Sequence, residues 1–280
     1  MTLSVVIITH NEEANIGRTL ESVKPLVASG RGEVIVVDSG STDRTVEIAR
    51  CFGAKVFLEE WKGFAAQKNS ALEKAGGDWI LSLDADEEVE PALASMIAYY
   101  LQEDEIGSTD PDCNHRMRGV NGMWVKRTNL FLGREMLHGG WKEKKVRVFR
   151  RGKGRFKAVP VHEIVEVEGR TIDPALWYSP AGVLVHHQYP TLSDYIDHMN
   201  RYSSLGAEMA LAKGSGSLSV INIVLRPLAT FIYNYFFRLG FLDGREGLLL
   251  HLYHAVYVSW KYAKAWELSR KNADPSLRSG

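Results

Sequence analysis

The chain alternates between unbroken apolar runs and stretches in which apolar residues recur every three or four positions. Leu3 to Thr9 is a continuous β-branched run, the mark of a strand covered on both faces. Glu12 to Val27 has helical spacing, and Asn11 stands where an N-cap is expected. Glu33 to Val37 repeats the buried-strand signal, and Ser41-Thr42-Asp43 offers caps for a helix running through Cys51. Lys55 to Leu58 reads as a short strand, Phe64 to Ala75 as a helix and Asp78 to Leu83 as another strand. Glu90-Pro91 then opens a helix with proline at the favoured first position. Strand and helix in alternation predict an α/β fold: a Rossmann-like, mostly parallel central sheet with helices on both faces.

The pattern breaks into polar, turn-rich sequence from about Asp104 to His115. Asn121 to Arg127, Lys145 to Arg150 and Gly182 to Val185 return as strands, and helical signals resume from Thr191. The expected organisation is a domain over residues 1–190, with a first half at about 1–103 and a second at about 116–190. A C-terminal helical region follows over 191–280. Within it, Ser217 to Leu225, Pro227 to Phe237 and Gly247 to Trp260 are apolar and aromatic. Each is shorter than the ~20 residues that cross a bilayer, and Arg226, Arg238, Asp243, Arg245 and Glu246 interrupt them. One reading is a helical subdomain. The other, which the tyrosines and tryptophans from Tyr233 to Trp266 favour, is a set of helices lying in a membrane interface. There Lys261, Lys264, Arg270 and Lys271 would meet anionic headgroups.

Composition narrows the classes. The 34 Lys and Arg balance 34 Asp and Glu, which argues against a nucleic-acid partner. Two cysteines, Cys51 and Cys113, make neither a disulfide framework nor a zinc cluster. No targeting segment is recognisable, so a cytoplasmic protein is expected, peripherally associated with the inner face of the membrane.

In an open parallel sheet, ligands bind outside the carboxyl ends of the strands. Those ends carry Thr9-His10-Asn11-Glu12, Asp38-Ser39-Gly40-Ser41-Thr42-Asp43 and Asp84-Ala85-Asp86-Glu87-Glu88. Three acidic clusters in one crevice repel unless a cation or donors offset them. Gly-x-Gly-x-x-Gly and Walker A patterns are absent, so a bound nucleotide would have its phosphates held through a metal. Asp84 and Asp86 alternate along an extended segment and can face one Mg²⁺ or Mn²⁺. Alone, Asp-x-Asp is a weak signal. In this order, each cluster at a strand end, the combination is far more specific.

Val34 to Asp43, with Leu83-Asp84-Ala85-Asp86-Glu87 about forty residues later, resembles the family 2 glycosyltransferases of the GT-A fold. Gly63-Phe64 with Gln67-Lys68-Asn69, His138-Gly139-Gly140-Trp141, Val146 to Arg150, Val161-His162-Glu163 and Gly240 to Gly244 resemble one branch. That branch is the lipopolysaccharide-core β-1,4-glucosyltransferases of the WaaE/KdtX and LgtF type. The resemblance implies a metal-dependent, inverting enzyme that moves a hexose, glucose from UDP-glucose first among them, onto a membrane glycolipid. Its partners would be the UDP-sugar donor, a lipopolysaccharide-core acceptor and the inner-leaflet surface. Thr9, Asn11 and Glu12 would line the uridine pocket, Asp38 would meet the uracil, and Ser41 and Lys68 would join the nucleotide contacts. Asp84 would approach ribose and metal, and Asp86 would ligate the metal. His186 would be a further ligand or phosphate contact, against the alternative of a core histidine. Glu163 stands at the place of the catalytic base, against the alternative of a surface carboxylate in a charged hairpin.

The stretch Lys142 to Lys157 holds nine Lys or Arg against one Glu. It is either a solvated face or an anion site, with Arg147, Arg150 and Arg151 gripping an anionic acceptor or the diphosphate. Trp141 either stacks on a sugar or belongs to the core.

Overall fold

A computed structural model of the chain describes residues 1–106, 117–158, 163–212 and 221–273. The polar stretch at 107–116, the segment 159–162 that contains His162, and Ser217 to Val220 lie outside them.

The first elements follow the apolar pattern closely. Strands β1 (Leu3–Thr9), β2 (Gly32–Asp38), β3 (Lys55–Leu58) and β4 (Trp79–Asp84) alternate with helices α1 (Ile16–Val27), α2 (Thr45–Cys51) and α3 (Phe64–Glu73). After β5 (Glu87–Val89) and helix α4 (Pro91–Ile106) come β6 (Val120–Phe131), β7 (Arg134–Glu135), β8 (Glu143–Arg150), β9 (Gly154–Lys157), β10 (Ile164–Val167), β11 (Arg170–Ile172) and β12 (Leu184–Tyr189). The main sheet has the order β3-β2-β1-β4-β8-β6-β12-β5, and β9 and β10 form a separate hairpin. The half from β3 to β4 is parallel. It is extended by antiparallel pairing of β4 with β8 and of β8 with β6, and β5 runs antiparallel to β12.

β1 shows why the run is apolar throughout. Val5 and Ile7 pack into one core with Ile16, Leu20, Val23 and Leu26 of α1 and with Leu93 and Ile97 of α4. Val6 and Ile8 point the other way, into a second core with Ala65 and Ala71 of α3 and with Phe149 and Phe156. Alternate residues of one strand thus feed two cores, as the two-residue period of a strand requires. Residues 16, 20 and 23 of α1 recur at helical spacing and are fully buried. The start of α1 corrects one expectation. Asn11 does not cap it: residues 12–15 form turns, with Ile16 N–H on Glu12 O at 2.8 Å, and no side chain caps the helix.

Two compact units emerge, residues 1–128 with 143–187, and residues 129–142 with 188–280. The second holds helices α5 (Leu192–Ala212), α6 (Arg226–Ile232) and the thirty-residue α7 (Gly244–Ala273), with π-helical turns at Ile221–Leu225 and Tyr233–Phe237. Its core gathers Phe131, Met136, Tyr189, Tyr195, Met199 and Leu250. Ala207 and Ala210 of α5 meet Ala265 of α7, so small residues bring the two helices close. Lys264 ties them further through Asn200, Ser203 and Ser204. The His138-to-Trp141 and Gly240-to-Gly244 motifs belong to this unit. Asp243, 3% exposed, accepts hydrogen bonds from the N–H groups of Leu137 and His138 and pairs with the His138 ring at 2.7 Å. Gly139 and Gly140 have left-handed φ of 69° and 88°, and a Cβ on either would strike His251 or Arg238. Among the described residues no helix is long and apolar enough to cross a membrane. Yet residues 221–242 leave Leu228, Tyr233, Phe236, Phe237, Phe241 and Leu242 exposed, Phe237 at 75%.

Candidate active site

The register of the sheet aligns the predicted site residues. Thr9 pairs with Asp38 across β1 and β2, and Ile8 pairs with Asp84 across β1 and β4. The loops beyond these ends are laced together. Asn11, at a left-handed φ of 54°, accepts the Thr42 N–H on its side-chain oxygen at 2.8 Å. Its own N–H donates to Ser41 Oγ at 2.8 Å, and the Glu12 N–H to Thr45 Oγ1 at 2.7 Å. Asp38 is fully buried and accepts the N–H groups of Gly40 and Ser41 and the Ser41 hydroxyl. Asp43 accepts the Thr45 N–H at 3.0 Å just ahead of α2, but Arg44 stands at the N-cap and no side chain caps that helix, against the expectation for Ser41 to Asp43. The hydroxyls of Thr9 and Ser39 are buried without a partner among the described residues. Polar atoms left open at strand ends mark a place where a ligand or water completes the bonding.

The three acidic clusters do converge. Burial is the main influence on Glu12 and raises its pKa. Asp86, Asp43 and Asp84 push the same way, and the Asn15 side chain opposes them. What offsets the charge is a chain of buried cations. Lys68, on α3 and only 2% exposed, places Nζ 2.6 Å from Asp84 Oδ1 and 2.5 Å from Glu163 Oε1. Arg147 of β8 sits 2.8 Å from Asp84 Oδ2 and 2.5 Å from Glu87 Oε1. Arg127 of β6 joins Glu87 at 3.1 Å and Glu143 at 2.8 Å. Burial alone would raise the Asp84 pKa, but Lys68 and Arg147 outweigh it and hold Asp84 well below the usual carboxylate range. Burial alone would lower the Arg147 pKa, but Glu87 and Asp84 outweigh it and raise it.

Glu87 and Arg127 were not among the predicted residues. Glu87, 0% exposed, also accepts the Asp84 N–H at 3.0 Å and so locks the Asp84-to-Glu87 turn. Asp86 projects from that turn. Its Oδ2 lies 3.2 Å from His186 Nε2, because β12 pairs His186 with Glu87 and donates the His187 N–H to Asp86 O. Among the described residues no three His, Cys, Asp or Glu side chains gather as a metal site. Both Asp84 oxygens are engaged by cations, so the protein donors converging at this point are one carboxylate and one imidazole. Such a pair fits a Mg²⁺ or Mn²⁺ ion that takes its remaining ligands from phosphate and water.

The structure separates the remaining predicted residues. Arg147 is interior, as above. Arg150 is committed to the fold: its guanidinium grips both Asp104 oxygens at 2.6 and 2.8 Å, bonds Val120 O and lies over the Trp79 ring. Arg151 donates to Gly77 O. Trp141 lies in the second unit, packed beside its core, with its ring 6.5 Å from that of His254.

The profile of the family described as "Glycosyl transferase family 2" matches residues 4–159, more than half of the chain. The "Lipopolysaccharide core biosynthesis glycosyltransferase LpsC" of Rhizobium meliloti is 28% identical, over 99% of this chain and 96% of that protein. An "Uncharacterized glycosyltransferase RT0209" of Rickettsia typhi is 29% identical over 96% of this chain and 88% of its own length. Among solved structures, the mannosyltransferase PcManGT of Pyrobaculum calidifontis, in complex with GDP-Man and Mn²⁺, aligns at 17% identity. It has a TM-score of 0.49 and covers 95% of this chain and 87% of that one. The matched span runs from β1 past the Asp84-to-Glu87 turn to β9, and the chain belongs to the family 2 glycosyltransferases.

Proposed function

We propose that this glycosyltransferase is metal-dependent and inverting, and that it moves a hexose, glucose from UDP-glucose in first place, onto a saccharide of a membrane glycolipid. Lipopolysaccharide inner core is the favoured acceptor, a reading supported by the name of the Rhizobium meliloti relative. The observation that supports this reading is that Lys68 bridges Asp84 to Glu163, while Asp86, two residues beyond Asp84, pairs with His186.

Asp86 and His186 would hold the divalent ion, which when bound stabilises negative charge on the departing diphosphate. Thr9, Asn11, Glu12, Asp38 and Ser41 would enclose the nucleoside. Lys68 would meet the diphosphate. Glu163 would take the proton of the acceptor hydroxyl as that oxygen bonds to the anomeric carbon, while the bond from this carbon to the diphosphate breaks and its electron pair leaves with UDP. The exposed aromatics of residues 221–242 support docking of the second unit on an anionic membrane surface. Their exposure would be costly in water, and Arg238 lies over the Tyr233 ring at 5.8 Å, a pairing suited to a headgroup layer.

Calorimetric titration of UDP, with and without Mn²⁺, tests the donor reading. Binding that requires Mn²⁺ and disappears in Asp86→Ala is the expected result. A folded protein that takes up no UDP under either condition would refute it.

A further inference from the structure

Lys68 stands between two carboxylates whose circumstances differ. Its ammonium has three N–H donors, and it contacts Asp84 Oδ1 and Glu163 Oε1 while lying 5.3 Å from the centre of the Phe156 ring. Asp84 has a second cation, Arg147, on its other oxygen. Glu163 has no further hydrogen-bond or ion-pair partner among the described residues. Removing the ammonium would therefore leave Asp84 compensated and change Glu163 completely. The backbone beneath is fixed, because the Asn69 side chain pairs with both the N–H and the C=O of Phe156 and pins α3 to β9. Any displacement of the ammonium would therefore come from rotation about the four-carbon stem of Lys68.

We infer that Lys68 is a positioning residue that couples donor binding to the base: in the nucleotide-free protein it occupies the Glu163 oxygen that would take the acceptor proton, and the diphosphate draws it away. This rests on the donor reading above. A diphosphate offers an ammonium more charge and more acceptor oxygens than one carboxylate does. The exchange frees Glu163 only when a donor is in place, so donor binds before acceptor. It also makes Glu163 a competitor of the donor for Lys68.

Zero-length carbodiimide coupling reads the contact directly. It condenses a carboxylate with an amine held against it, and peptide mass spectrometry locates the bond. The nucleotide-free protein should give a Lys68–Glu163 isopeptide, and UDP with Mn²⁺ at saturation should reduce it by about fivefold or more, the value of one modest ion pair. Titration of UDP into Glu163→Gln should show binding about fivefold tighter than wild type, a gain that vanishes when Lys68→Met is the background. A link that persists at saturating UDP, or that never forms without it, overturns the coupling. So does an equal gain in both backgrounds, which would mean a simple field effect. If wild-type protein binds no UDP at all, the donor reading falls and the coupling with it, whereas UDP binding with a persistent link defeats the coupling alone.

Discussion

The two units invert each other's treatment of polarity. The first hides charge: Lys68, Glu87, Arg127 and Arg147 are all buried, each matched to partners from other elements. The second displays apolar surface: Phe236, Phe237 and Tyr233 face outward while Asp243 and His251 lie inside. Buried charge is costly unless geometry repays it, and exposed aromatic area is costly unless something covers it. Each unit thus carries an expense that stability alone does not explain. In the first, the matched charges hold carboxylates where a diphosphate and a metal would come. In the second, the outward rings have the chemistry of a membrane interface.

The comparison can be broken or sharpened by substitution. The largest effect belongs to Glu163→Gln. It should lower kcat by about 10²- to 10⁴-fold, the usual worth of a positioned base, while nucleotide binding survives. Steady-state kinetics beside calorimetry check this, and retention of near-normal kcat would remove Glu163 as the base. Next comes Glu87→Leu, which strips the shared carboxylate from two buried guanidinium groups. A loss of about 3–5 kcal/mol is expected from denaturant unfolding. A loss within about 0.5 kcal/mol, typical of a surface position, would mean the buried charges are not mutually dependent.

A smaller, pH-dependent effect is expected in the second unit. Burial, helped by neighbouring His251, pushes the His254 pKa down from 6.5 to about 4. The folded state therefore holds its proton less tightly than the unfolded state. The stability from neutral His254 is complete above about pH 6.5 and declines as pH falls towards 4, by at most about 3 kcal/mol. Melting curves between pH 7 and 4 should show this slope, and His254→Phe should flatten it. The smallest effect on stability is predicted for Phe236→Asp with Phe237→Asp. Unfolding should shift by no more than about 0.5 kcal/mol per site, whereas sedimentation with anionic vesicles should fall sharply. Strong destabilisation would show that these rings serve the fold.

The strands were legible in the sequence because burial on both faces leaves an unbroken apolar run, as Val5 to Ile8 do. The convergence of carboxylates was legible because the three acidic clusters fall at the ends of neighbouring strands. The cap role of Asn11 fails because the residue type that caps a helix also adopts left-handed φ and bridges loops. The sequence shows Glu87 in an acidic cluster but not its role, because its partners, Arg127 and Arg147, come from positions 40 and 60 residues away. The basic run leaves Arg150 open to a solvated face or an anion site, and neither reading finds Asp104, 46 residues earlier, which claims it. Local pattern reveals which residues are buried. It does not reveal which buried charges meet.

The alignment of Thr9, Asp38 and Asp84 rests on hydrogen-bond register rather than on contacts among the three side chains. A ladder of this kind tolerates exchange of one β-branched residue for another, since each keeps its step. It does not tolerate a change in count: one residue inserted in β1 would turn its side chains to the opposite face and carry Thr9 past its neighbours. Descendants of this chain are therefore free to drift in the composition of these strands and in the length of the loops between them. The number of residues in each strand is the quantity that inheritance must keep.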